Sequence, residues 1–276
     1  MSRHILLPTD FSDNAWNATV YALKLFEDEV CTFYFLNSTY IRVSMLSNLS
    51  NKLLNTMKDE AFKELADLKN LAETSNANAN HDFQIILSTD ELEEAVKKVV
   101  RQRSIDFVVM GTKGATGAKE YFFGTNTVHI AKTLKICPVL IVPEDYDFIV
   151  PSQIAFPTDY NRFYNEIELG PIKELADLYN SKIRVVHIHD NDELNEVQNH
   201  NLKALQNALS DYQYSLHWMP NYAKKAVEIH DFVEELNVNI LVMVNYKHSF
   251  IENILNEPVI KKIGFQTKIP FLVIPE

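Results

Sequence analysis

Asp106-Phe-Val-Val-Met110-Gly111-Thr-Lys113-Gly114-Ala-Thr-Gly117-Ala-Lys-Glu-Tyr-Phe-Phe-Gly124-Thr125 carries a short apolar run directly into a loop that holds four of the chain's six glycines. About 7% glycine is usual, so such a concentration in a glycine-poor chain of 276 residues marks the loop. Phe107–Met110 predicts a strand buried on both faces. Beyond Gly124, the spacing of Val128, Ala131 and Leu134 predicts one apolar face of a helix. Strand, glycine loop and helix N-terminus, in that order, make an anion-binding arrangement. Backbone N–H groups point at the anion, the helix dipole favours its charge, and missing Cβ atoms let it approach. Each exposed helix-end contact contributes only ~0.3–1 kcal/mol, so Lys113 and Thr125 are expected to help hold a phosphate. No Lys-Ser/Thr follows the last glycine, so this is not a Walker A loop. Nor is the G-x2-G-x2-G spacing the dinucleotide G-x-G-x-x-G.

Working outward, the same strand returns later in the chain. Asp106–Met110 reappears as Asn239-Ile-Leu-Val-Met243, and Ile5-Leu-Leu-Pro-Thr-Asp-Phe11 as Ile154-Ala-Phe-Pro-Thr-Asp-Tyr160. Cys137-Pro-Val-Leu-Ile-Val-Pro-Glu144 reappears as Ile269-Pro-Phe-Leu-Val-Ile-Pro-Glu276. Order is kept throughout, which predicts two copies of one domain. The boundaries read from the pattern are 1–146 and 150–276, joined near Asp145–Ser152. In the first copy the expected strands are Ile5–Leu7, Phe33–Leu36, Phe83–Leu87, Phe107–Met110 and Val139–Val142. The second offers Ile154–Phe156, Ile183–Ile188, Ser215–Met219, Ile240–Val244 and Phe271–Ile274.

Between the strands lie helical patterns. Leu92, Ala95, Val96, Val99 and Val100 share a face, with Ser88 and Glu91 at capping-box spacing ahead of them. Ile229, Phe232, Val233 and Leu236 supply the matching stripe in the second copy. Ser38–Ser50 is irregular. Asn51–Ala72 predicts a helix with Leu53, Leu54, Met57, Phe62, Leu65, Leu68 and Leu71 as core positions. Strand and helix alternating in this way predict an α/β fold: two repeated doubly wound, Rossmann-like domains, each an open five-stranded parallel sheet with helices on both faces.

Composition narrows the function. A net charge of −11 argues against a general nucleic-acid binder or an anionic-membrane binder. Ile5–Leu7 is far shorter than a secretory core of roughly 7–15 residues, and no apolar run approaches the ~18 of a membrane span. Cys31 and Cys137 have no disulfide-framework or metal spacing, so free thiols in a reducing cytoplasm are expected.

Gly111-x2-Gly114-x9-Gly124-Thr125 resembles the G-x2-G-x9-G-[S/T] nucleotide signature of the universal stress protein family. Pro8-Thr-Asp10 after the first strand and Cys137-Pro-Val-Leu-Ile-Val as the last strand resemble that family too. Since both halves carry the likeness, the chain resembles a tandem member. What the resemblance implies is an adenine-nucleotide site in the first copy for ATP or ADP, with or without magnesium. Pro8, Thr9 and Asp10 would lie near ribose and adenine. Asn37 stands where the family usually has an apolar residue against adenine. Met110 and Gly111 would pass under the nucleotide. Lys113, Gly114, Gly124, Thr125 and Asn126 would surround the phosphates. The resemblance also implies pairing of the two domains through Pro138–Val142 and Pro270–Ile274, with a homodimer left open.

In the second copy Val244, Lys247 and Asn256 or Glu257 stand at the glycine positions. Val244 resists positive φ, so its loop is expected to take another path. Pro157-Thr-Asp159 is then left to cap the following helix, and one nucleotide per chain is expected. His187 and His189 share a strand face but lack a third metal ligand at a recognisable spacing. His217-Trp218 is expected to pack in its strand, and Tyr121-Phe-Phe123 beneath the loop. No nucleophile–base pair accompanies Asp10, so catalysis is not supported, although the resemblance permits slow ATP hydrolysis. The expected function is a nucleotide-binding stress-response regulator with an unidentified protein partner. The alternative is a stress-induced scaffold or chaperone-like protein that binds no nucleotide.

Overall fold

The computed structural model describes residues 2–40, 51–75, 77–112, 124–189, 193–220, 225–246 and 268–276. The chain divides into two units, Met1–Asp145 and Tyr146–Glu276. Unit 1 contains β1 (Arg3–Pro8), α1 (Asp13–Leu25), β2 (Cys31–Ser38), α2 (Asn51–Ser75) and β3 (His81–Ser88). It continues with α3 (Leu92–Arg103), β4 (Phe107–Gly111), α4 (Thr125–Thr133) and β5 (Val139–Val142). Its strands are parallel, in the order β3-β2-β1-β4-β5. Unit 2 contains β6 (Gln153–Pro157), α5 (Glu166–Tyr179), β7 (Lys182–His189), α6 (Glu196–Ala208) and β8 (Tyr214–Pro220). After these come α7 (Lys225–Glu235), β9 (Ile240–Asn245) and β10 (Phe271–Pro275). Its order, β8-β7-β6-β9-β10, repeats that of unit 1 strand for strand.

Strands β4 and β5 are apolar on both faces because helices cover both faces. Phe107, Val108, Val109 and Val139–Val142 are each at most 1% exposed. Burying each such side chain stabilises the fold by ~1.5–3 kcal/mol, an upper figure against a compact denatured chain. In each unit the order reverses beside the first strand, between β1 and β4 or between β6 and β9. Ligands of open α/β sheets bind outside the strand ends at that switch point.

Local chemistry shapes the helices. In α3, Glu93 and Glu94 occupy the first turn and Arg101 and Arg103 the last, both favourable to the helix dipole. Ser88 and Glu91 do not form the expected capping box. Glu91 is the N-cap without a side-chain bond, and the Ser88 hydroxyl instead accepts the Asp90 N–H at 3.1 Å. True capping boxes open α5, from Asn165 and Glu168, and α6, from Asn195 and Gln198. Asp159 therefore does not cap α5, contrary to expectation.

The helix α2 forms where expected, but its apolar residues do not all enter the core. Leu65 is buried together with Ala61 and Ala72, whereas Leu53, Met57, Phe62 and Leu71 are exposed. Ala61, Leu65 and Ala72 follow one stripe at helical spacing, while Leu53, Met57 and Leu71 fall on one flank of it and Phe62 on the other. A stripe of small residues is what meets the sheet here. Among the described residues, no helix is long and apolar enough to cross a membrane.

Candidate functional site

In unit 1 the β1 strand ends on a loop tied down by its own side chains. Thr9 donates its N–H to the Leu36 carbonyl at 2.8 Å, and the Asn37 amide nitrogen donates to the Thr9 carbonyl at 2.8 Å. The Thr9 hydroxyl accepts the Phe11 N–H at 3.0 Å. The exposed Asp10 carboxylate accepts both the N–H and the hydroxyl of Ser12, at 3.2 and 2.6 Å. Ser12 in turn caps α1 by accepting the Ala15 N–H. Phe11 is held at φ 62°, a left-handed conformation unusual for a bulky side chain.

The other side of the switch point is the loop marked by its glycines. Parallel pairing sets Ile5 beside Phe107 and Leu6 beside Val108, so Pro8 comes level with Met110. Met110 and Gly111 are buried. Gly111 is not in the left-handed region. A Cβ there would lie 2.7 Å from the Asn14 amide nitrogen and 2.8 Å from its backbone oxygen. Glycine is thus required by the approach of α1, not by the turn that sequence reasoning invoked. The Thr127 hydroxyl donates to the Gly111 carbonyl at 2.8 Å. Gly124, at φ −59°, is the N-cap of α4 and bonds through its N–H to the Thr112 carbonyl, which draws the two ends of the loop together. Lys113, Gly114, Gly117 and Tyr121–Phe123 lie outside the described residues.

The start of α4 is the electropositive feature. Its first-turn N–H groups have no intrahelical acceptor, Gly124 offers no side-chain cap, and the first turn holds no acid. Thr125 and Asn126 are exposed there. By contrast α1, α3, α5, α6 and α7 each place an acid in their first turn. Glu93 of α3 holds the body of α4 in place, bonding His129 and Lys97 at 2.5 Å each. The Lys97 ammonium, aided by His129, draws the Glu93 carboxyl down to about 2 against partial desolvation.

Two cavities adjoin the end of β1. One of about 470 Å³ is lined by Phe11, Asn37 and Met57 together with Glu60, Ala61, Lys63, Glu64 and Asp67 of α2. The other, about 240 Å³, is lined by Thr9, Phe11, Ser12 and Trp16 together with Glu64, Asp67, Leu68 and Leu71. Their charged groups are acidic apart from Lys63, so the walls are apolar and net acidic, which suits a neutral or cationic group better than phosphate. The α4 terminus, with no acid beside it among the described residues, has the opposite preference. Among the described residues, no three His, Cys, Asp or Glu side chains are grouped to hold a metal. Sequence reasoning singled out Thr9, Asp10 and Asn37 but not Phe11, Trp16, Asn14 or Thr127. For Phe11 the signal was available, since Tyr160 repeats it. For Asn14 there was none.

Unit 2 repeats the bonds of the first loop except those of the Ser12 hydroxyl, since Asn161 takes that position. The Thr158 hydroxyl accepts the Tyr160 N–H at 3.1 Å, and Asp159 accepts the Asn161 N–H at 3.0 Å. Tyr160 has φ 56°. His187, one residue beyond the partner of Pro157 just as Asn37 is one beyond the partner of Pro8, bonds the Thr158 carbonyl through Nδ1 at 2.8 Å. Val244, at the position of Gly111, is buried as β9 continues to Asn245. His217 packs edge-on against Phe232 at 5.1 Å. Lys247, Asn256 and Glu257 lie outside the described residues, as does the side chain of His189.

Comparison with known proteins adds the family. Its sequence pattern, described as the universal stress protein family, matches residues 1–143. A universal stress protein of Methanocaldococcus jannaschii is 27% identical over 144 residues, covering 51% of this chain and 81% of that protein. The Bacillus subtilis universal stress protein YxiE is 24% identical over 141 residues, covering 49% and 92%. In fold, the chain is similar to a universal stress protein from Archaeoglobus fulgidus over 99% of this chain and 96% of that one, with TM-score 0.71 and 15% identity. A putative universal stress protein from Pseudomonas aeruginosa gives TM-score 0.62 at 12% identity over 99% and 93%. With its first half matched by the family pattern, the chain belongs to the universal stress protein family.

Proposed function

We propose that unit 1 binds one adenine nucleotide, ATP or ADP, and that occupancy regulates a stress response through a protein partner. The observation that carries this reading is the opposed polarity of the two features at the β1/β4 switch point. Among the described residues Gly124 gives α4 no side-chain cap and its first turn holds no acid, while the cavity beside Asn37 is apolar and net acidic. A nucleotide matches both, with its phosphates on the N–H groups of Thr125 and Asn126 and its base towards Asn37. Because the Asn37 amide nitrogen is committed to the Thr9 carbonyl, its oxygen is left to meet a ligand. That acceptor suits the exocyclic amine of adenine. Magnesium would arrive with the phosphates. Gly114 and Lys113 complete the phosphate side in this reading, and Thr9 and Asp10 the ribose side.

Calorimetric titration of the whole chain with ATP, ADP and GTP tests the proposal. One site per chain for the adenine nucleotides, weaker binding of GTP, and loss of binding in Gly124→Val are expected. Two equivalent sites, or none in the wild type, would overturn it, and the latter would favour the scaffold reading.

A further inference from the structure

Unit 2 shares the loop backbone of unit 1 but packs a different set of side chains against it. The Tyr160 side chain is 1% exposed and lies stacked on His187, with ring centroids 4.8 Å apart and planes at 28°. Trp218, itself 47% exposed, flanks the group at 6.0 Å from Tyr160 and edge-on to His187 at 5.4 Å. By strand register these three rings stand where unit 1 has Phe11, Asn37 and Leu87. In unit 1 the space between Phe11, Asn37 and α2 is a cavity of about 470 Å³. The corresponding helix of unit 2 instead grips the loop. Asn201 donates to the Tyr160 carbonyl at 2.8 Å and Gln198 to the Asp159 carbonyl at 2.9 Å. Asp159, whose counterpart Asp10 is exposed, accepts the Tyr246 hydroxyl at 3.1 Å on both carboxylate oxygens. Arg162 lies over the rings of Tyr246 and Tyr164, at 4.8 and 5.2 Å.

We infer that Tyr160 is an internal ligand. Its ring fills in unit 2 the place that unit 1 keeps open for a ligand's planar group, so unit 2 holds its loop in an occupied form with nothing bound. The Tyr160 hydroxyl supports a packing role over a polar one, because it is buried with no hydrogen-bond partner among the described residues. A ring selected for its hydroxyl would have one. The one site per chain proposed above would then rest on this ring as well as on the missing glycines. The inference rests on the reading that the unit 1 cavity takes a ligand, but not on which ligand that is.

The test is chemical rescue in the full chain carrying Trp16→Phe, so that Trp218 alone reports. Tyr160→Gly removes the ring and suits the left-handed backbone. It should shift Trp218 emission and lower the Tm, and p-cresol, the severed side chain, should restore Tm saturably. The expected rise is about 4 °C at ten times its Kd. The Tyr160 protein should show no p-cresol response. Tyr160→Phe keeps the ring and should match or exceed the Tyr160 protein in Tm. No p-cresol response from a folded glycine variant would overturn the inference. Should that variant fail to fold, the phenylalanine variant decides alone: a Tm several degrees below the Tyr160 protein would show that the hydroxyl matters and sink the internal-ligand role. No nucleotide enters the experiment, so a chain that binds none leaves its result intact.

Discussion

Gly111→Ala places a methyl 2.8 Å from the Asn14 backbone oxygen and 2.7 and 2.8 Å from two atoms of its side-chain amide. Side-chain atoms can swing away from such a contact, but the backbone oxygen cannot unless α1 moves. That helix is anchored by Ala18, Tyr21, Ala22 and Leu25, all at most 2% exposed. Three contacts below 3.0 Å put the overpacking near ~3 kcal/mol, the upper part of the usual range. Burial of the methyl (~0.8 kcal/mol) and the reduced freedom of the unfolded chain (~0.4–1 kcal/mol) offset about half of it. A net loss of about 1–2 kcal/mol remains. With a urea slope of about 2 kcal/mol/M, the unfolding midpoint of unit 1 falls by roughly 0.5–1 M. Trp16 emission in a Trp218→Phe background reads this unit separately. Adding Asn14→Ala removes the two side-chain contacts and leaves the backbone one, so it should recover part of the loss. A Gly111→Ala midpoint within about 0.2 M of the parent would refute the steric account of this glycine. Complete recovery in the double variant would refute the role assigned to the backbone oxygen.

Two further outcomes follow from the charge and thiol environments. Glu93 has its folded pKa drawn down from 4.5 to about 2, so its partners stabilise the fold above the ordinary value and lose their effect as pH falls towards 2. Glu93→Gln should accordingly be less stable than wild type at pH 7, with the gap narrowing from about pH 4.5 to 2 in urea melts; a pH-independent gap would contradict the assignment. Cys31 and Cys137 are both 1% exposed, and desolvation raises the Cys31 thiol to about 12 and Cys137 above its usual range. A thiol reagent should find neither in the native chain and both in denaturant, whereas fast native labelling would contradict their burial.

The architecture was legible because a strand buried on both faces must be apolar along its whole length. Phe107–Met110 and Val139–Val142 stand out for that reason, and the repetition of three such segments implied a repeated order of strands. The α2 core positions were legible only in part. Helical spacing identifies stripes, but it does not say which stripe meets the sheet. Small Ala61 and Ala72 beside Leu65 took that place, leaving Leu53, Met57 and Leu71 outside. The capping box at Ser88 failed because an equally short-range bond, Asp90 N–H to the serine hydroxyl, was available to the same residue.

The sequence by itself determined the strands, their repetition and the clustering of glycines after β4, since these depend on periodicity and composition along a short stretch. Only the tertiary structure decided why Gly111 is glycine, what faces Asn37, and why the two copies differ. Asn14 lies 97 residues before Gly111, and no local pattern links them. Phe11 and Tyr160 occupy the same left-handed position with the same backbone bonds. One borders a cavity and the other stacks on His187, because the identity of a residue on the neighbouring strand sets what a ring can rest against. Such neighbours are assigned by chain crossover and register, and these exist only once the sheet has formed.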